Sequence, residues 1–225
     1  MDHHSEARRF ASELRRIIEK LAVVDAPASE LALAADAAKA FADRLEEEFP
    51  KRRSWYEAAE VVVSDEPIDV TRESPGGFFD RSPIIGLANP LAAPVSLEIV
   101  TDETGPHVEG RAVFGAAYEG PPGNVHGGMV AAAFDEVLGM AQSLSGQAGF
   151  TGTLVIRYRS PTPLYEELRF RGWVERVEGR KIFTAGTCHA DDRLTAEAEA
   201  IFVTVDRERF EKLLRERQAR EERTP

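Results

Sequence analysis

Residues 120–144 read GPPGNVHGGMVAAAFDEVLGMAQSL. The stretch opens with Gly and Pro, which do not sustain a helix. His126, Gly127 and Gly128 follow. Then come sixteen residues, mostly Ala, Val, Leu and Met, interrupted by the adjacent acids Asp135 and Glu136. A segment this apolar predicts a helix buried almost all round. A carboxylate in such a helix is costly unless it is paired, hydrogen-bonded or used.

The sequence on either side reads as strands. On the N-terminal side, 96–101 is a short apolar run. In 108–118, Val108, Gly110, Ala112 and Phe114 alternate with Glu109, Arg111 and Val113. On the C-terminal side, strand-like runs cover 151–159, 167–177, 181–190 and 194–205, joined by short links such as Glu178-Gly179-Arg180 and Asp191-Asp192-Arg193. Links this short favour antiparallel neighbours. Six strands with one greasy helix among them predict an α+β domain whose sheet curls round the helix and buries it on all sides.

Further out, Phe10, Leu14, Ile17, Ile18 and Leu21 repeat at helical spacing within 5–24. After Asp25-Ala26-Pro27, Ser29 reads as the cap of a second helix carrying Leu31, Leu33, Phe41 and Leu45 and ending before Pro50. The pair predicts an amphipathic hairpin packed on the domain or on a second copy of the chain. The expected division is a helical extension over 1–50, an irregular Gly/Pro-rich connector over 51–94, the domain over 95–206, and a charged terminal helix over 207–225 with Phe210, Leu213 and Leu214 as a sparse stripe. Phe78 and Phe79 read as docking groups on the connector.

The 225 residues carry a formal net charge of -11. That argues against nucleic acid or an anionic membrane as the main partner. An anionic ligand needs a local cluster of Arg and Lys. Cys188 is the only cysteine, so no disulfide forms within the chain, and a reducing cytoplasm is the expected setting. No run has the length of a membrane span. The first residues lack the apolar core of a secretory signal, and Asp2, Glu6 and Glu13 are foreign to a transit peptide. No set of His, Cys and carboxylates has metal-ligand spacing, and there is no P-loop or dinucleotide fingerprint.

Taken together, residues 123–128 (GNVHGG), Asp135 nine residues past His126, Thr151 sixteen residues past Asp135, Tyr158-Arg159-Ser160-Pro161 and Val177-Glu178-Gly179-Arg180-Lys181 resemble the PaaI-like group of hotdog-fold acyl-CoA thioesterases. The resemblance covers about half the chain. It implies a hotdog fold and hydrolysis of a thioester to a free acid and coenzyme A. It implies no metal and no cofactor beyond the coenzyme A of the substrate. It also implies a homodimer or dimer of dimers, with the active site between subunits.

The resemblance assigns Gly127 or Gly128 as an oxyanion donor, with His126 beside it in a supporting role. Side-chain-free amides at a helix N-terminus are unsatisfied and lie at the positive end of its dipole. Asp135 is assigned as general base or nucleophile, two roles the sequence leaves open. Glu136 is the rival acid, but one helical step turns it about 100° away. Thr151 is the expected holder of the attacking water, and Thr153, two residues on, is the reserve on the same side. Asn124 contacts His126 or the ligand, or only shapes the turn. Arg157, Arg159, Gly179, Arg180 and Lys181 are the expected surroundings of the nucleotide. The competing readings are a non-catalytic acyl-CoA or lipid-binding protein on the same fold and a hotdog hydratase. The latter needs a His–Asp pairing that His107, His126 and His189 do not show.

Overall fold

The computed structural model describes residues 2–49, 79–147 and 149–204, together with 212, 215 and 216. Phe78 and most of the expected connector and terminal helix, including Phe210, Leu213 and Leu214, lie outside them.

Two helices come first, α1 (His3–Leu21) and α2 (Ala28–Glu48). Strands β1 (Val95–Asp102) and β2 (Gly105–Val113) follow, then a 3₁₀ turn (Ala116–Tyr118) and α3 (Gly127–Ser143). The chain ends its described part with β3 (Gly149–Tyr158), β4 (Glu167–Glu178), β5 (Lys181–Ala190) and β6 (Arg193–Thr204). The six strands form one antiparallel sheet in the order β1-β2-β4-β5-β6-β3, and α3 packs against it. This is the hotdog arrangement.

The core lies between α3 and the concave face of the sheet. Val130, Phe134, Val137, Leu138 and Ala141 of α3 meet Val108, Leu168, Phe170, Ile182 and Phe202. Phe134 and Phe170 stack edge to face with centroids 5.2 Å apart. Burying each such side chain stabilises by about 1.5–3 kcal/mol. Gly172 lets α3 come this close: a Cβ there would stand 2.8 Å from Val137 Cγ1.

Several expectations change. The strand foreseen to Tyr118 stops at Val113, because Glu19 of α1 accepts from the N–H groups of Ala116 (2.9 Å) and Ala117 (3.1 Å) and so caps the 3₁₀ turn. Ser29 is not the cap of α2; Pro27 holds that position with no side-chain bond. Nor is α3 enclosed on all sides: His126, Gly128 and Asp135 are exposed in the single chain.

The docked face of α1 is also not its apolar stripe. Ala11 is its buried residue. Arg8 pairs with Asp80 at 2.7 Å, and Arg15 donates to the carbonyls of Asn89 (2.7 Å) and Leu87 (3.2 Å). With Glu19 these polar groups fasten α1 to the domain. Phe10, Ile17, Ile18 and Leu21 remain exposed.

Candidate active site

The loop before α3 is built by backbone bonds. The His126 N–H donates to Tyr118 O (2.8 Å) and the Val125 N–H to Thr162 O (2.8 Å). Asn124 is a turn residue here: its side-chain amide donates to Pro122 O at 2.9 Å and does not reach His126. His126 is the N-cap of α3, its Nδ1 accepting from the Gly128 N–H at 3.0 Å. In the neutral ring this leaves the proton on Nε2. The Gly128 amide is therefore engaged. The Gly127 N–H has no hydrogen-bond partner among the described residues. It stands at the positive end of a 17-residue helix.

Tyr158, which the sequence offered only as part of a motif, closes over this point. Its hydroxyl donates to Gly127 O at 2.7 Å, and a Cβ on Gly127 would stand 3.0 Å from that hydroxyl. A tyrosine ending a strand beside the helix start was the available signal.

Two turns down α3, the Thr151 hydroxyl donates to Asp135 Oδ1 at 2.9 Å. The bond fixes one oxygen of the carboxylate. Asp135 is exposed and Glu136 is the more buried acid. Burial pushes the Glu136 carboxyl above its usual range; the Ser82 hydroxyl, donating at 2.9 Å, opposes this, and the nearby Asp135 charge adds to the rise. Ser82 also accepts from the N–H groups of Ile84 (3.1 Å) and Ile85 (3.2 Å), so Glu136 ties the 79–93 segment to α3. Nothing in the local sequence announced that tie.

Thr153 does not share a side with Thr151. A bulge between them sets Thr151 opposite Phe202 and Thr153 opposite Ile201, which point to opposite faces of the sheet. Thr151 faces α3 and Thr153 faces away. Arg157 and Arg159 also lie on the outer face, already matched by Glu199 (2.7 Å) and Glu197 (2.6 Å). Gly179 adopts φ +57° in the β4–β5 turn, where Arg180 donates to Thr204 O at 2.9 Å and Lys181 is exposed. That turn stands at the C-terminal end of α3, next to the Gly149–Thr204 pair.

Asp135, Thr151, His126, Gly127 and Tyr158 thus line one open surface of α3 and β3. Gly127 and Asp135 are eight residues apart on one helix, about 12 Å along its axis. Within one chain they cannot meet on a single carbonyl group. A groove of about 1010 Å³ lies elsewhere, across the outer faces of β2, β4 and β5 beside Arg111, Arg169, Trp173 and His189; no candidate residue lines it. Among the described residues no group of three or more His, Cys, Asp or Glu is placed to hold a metal, and no helix is long and apolar enough to cross a membrane.

The family model described as thioesterase superfamily matches residues 122–197. The crystal structure of a thioesterase superfamily protein is 34% identical, superposes with a TM-score of 0.71, and the match covers 88% of this chain and 94% of that one. This chain belongs to the thioesterase superfamily. Among curated relatives, acyl-coenzyme A thioesterase THEM4 of Xenopus laevis is 36% identical over 91 residues, 40% of this chain and 41% of that protein. Acyl-coenzyme A thioesterase THEM5 of Homo sapiens is 31% identical over 86 residues, 38% of this chain and 35% of that protein. The chain therefore matches about two fifths of the length of these relatives.

Proposed function

We propose that the protein hydrolyses an acyl-CoA thioester to a free acid and coenzyme A. The observation that carries this reading is the Thr151–Asp135 bond of 2.9 Å, which orients an exposed acid two turns along a helix whose N-terminus is open. In this reading two copies add edge to edge through β3, the last strand of the sheet. Its ten residues include Val155 at 42% and Tyr158 at 54% exposure, a long apolar edge of the kind that pairs with another chain. The homodimer sets the Gly127 amide of one protomer against the partner's Asp135, which the 12 Å separation within a chain requires.

The Gly127 N–H then polarises the thioester oxygen. A donor of this kind contributes about a hundred- to a thousandfold in rate. Asp135 either takes a proton from a water that attacks the acyl carbon, or attacks that carbon itself to give a mixed anhydride that water opens. In both routes the C–S bond breaks: in the base route the proton taken by Asp135 passes to the leaving thiolate, and in the nucleophile route the thiolate leaves first and is protonated when water opens the anhydride. His126 holds the loop by capping Gly128. The nucleotide lies toward the β4–β5 turn, where Lys181 is unpaired among the described residues. The reaction needs no metal, and a chelator leaves the rate unchanged. The lone thiol, Cys188, is buried, and burial pushes its pKa up to about 11. We place the activity in the cytoplasm and in lipid metabolism.

Thiol release measured over a panel of aryl, short and long aliphatic acyl-CoAs tests the reading, with Asp135→Asn beside the wild-type chain. Turnover on one chain class, lost in the variant, supports it. Tight acyl-CoA binding with no released thiol overturns it in favour of a carrier. After a single turnover in heavy-oxygen water, label in the Asp135 carboxyl marks the nucleophile route, with water opening the anhydride at the Asp135 carbon.

A further inference from the structure

The hairpin presents an apolar face that nothing among the described residues covers. Ile17 is 53% exposed, Leu21 60% and, on α2, Leu33 64%. α2 is 21 residues long with no buried residue. Most helical stability in proteins comes from packing an apolar face. Since Arg8, Arg15 and Glu19 hold the opposite side of α1, the apolar side is fixed outward.

The outward side of α1 is also shaped. Ile17, Leu21 and Val24 line a shallow groove of about 300 Å³ rimmed by Glu13, Arg16 and Lys20. Arg16 lies 3.5 Å from Glu13, and Lys20 has no ion-pair partner among the described residues. α1 carries five Lys and Arg against three Glu; α2 carries two against six acids, ending in Glu46-Glu47-Glu48 beside Leu45. The basic-rimmed groove and the acidic, apolar helix end are complementary. They cannot meet within one chain. Phe10 stacks on Phe41 at 5.3 Å, so the helices run antiparallel and Glu46 to Glu48 lie at the far end of α1 from the groove, about 15 Å away.

We propose that this face is a self-association surface: the α2 helix of a second copy seats in the α1 groove, its acidic end against Arg16 and Lys20, and the two-fold repeats the contact in reverse. An isologous pairing of this kind makes a four-helix bundle from two hairpins. The basic amphipathic α1 alone has the pattern of a helix lying on an anionic bilayer, but the six acids of α2 on the same hairpin oppose that. The contact is separate from the β3 edge, so a chain using both assembles into a dimer of dimers.

The test uses the full chain and its mass across a concentration series. Leu21→Glu is expected to halve the mass of the wild-type assembly and raise its dissociation midpoint at least about tenfold, with turnover per chain unchanged. Reversing the rim (Arg16→Glu with Lys20→Glu) or the acidic end (Glu46→Lys with Glu47→Lys) is expected to do the same, and the chain carrying both reversals regains the wild-type mass. That rescue separates lost association from lost folding. The proposal is overturned if Leu21→Glu keeps the wild-type mass, if the doubly reversed chain stays dissociated, or if the wild-type chain has the mass of one chain. Sedimentation of the wild-type chain, but not Leu21→Glu, with phosphatidylserine vesicles also overturns it. A wild-type chain that assembles as expected yet releases no thiol from any acyl-CoA would instead count against the active-site reading alone.

Discussion

α3 and the α1–α2 hairpin both carry apolar residues at helical spacing, and the fold treats them differently. The apolar face of α3 is answered inside the chain by five strands. Its remaining face carries the His126–Gly128 loop and Asp135. The hairpin is fastened through Arg8, Arg15 and Glu19 and turns its leucines and isoleucines outward. Periodicity tells which residues share a side of a helix. It does not tell which side the rest of the molecule will choose.

The largest expected effect separating the two regions is at the open face of α3. Asp135→Asn should lower turnover at least about a hundredfold, about 2.7 kcal/mol in barrier, with the circular dichroism spectrum unchanged; unaltered turnover would remove Asp135 from the chemistry. Next comes the packed face. Gly172→Ala drives a methyl against Val137 and should cost about 1–3 kcal/mol in denaturant unfolding. Tyr158→Phe deletes one hydrogen bond to Gly127 O and should slow turnover by about three- to tenfold while KM stays close to the wild-type value.

Glu136→Gln tests a smaller term, and its sign follows from burial. Because the folded carboxyl titrates above its ordinary value, its contribution favours the fold below the unfolded pKa and is lost as pH rises through the folded one. The amide keeps an acceptor for Ser82 and removes that loss. Thermal scans should therefore show the variant gaining on the wild-type chain at neutral pH and losing the advantage in acid. The smallest effect belongs to the hairpin: Leu33→Glu should change the unfolding free energy of the domain by less than about 0.5 kcal/mol. A drop of several kcal/mol there would mean that α2 is bound into the core after all.

The strands, their antiparallel neighbours and the single core helix were legible because short links and alternation are local properties. The motif's spacing offered Asp135 and Thr151 together, with Thr151 as the holder of a water; the direct bond between them was not foreseen. What escaped was set by distant partners. Ser82, more than fifty residues away, decides that Glu136 is the sheltered acid. An extra residue at Gly152 turns Thr153 to the other face, which alternation alone cannot foresee. Arg157 and Arg159 looked available for phosphate until β6 placed Glu199 and Glu197 opposite them.

The Glu19 carboxylate has a practical consequence. It occupies the two amides that begin the 3₁₀ turn, and the last residue of that turn, Tyr118, receives the N–H of His126. A chain trimmed of its first fifty residues is therefore not the bare domain: it has lost the bracket upstream of the loop that carries His126, and weakened function in such a truncation would report a slackened loop rather than a missing side chain of the proposed site.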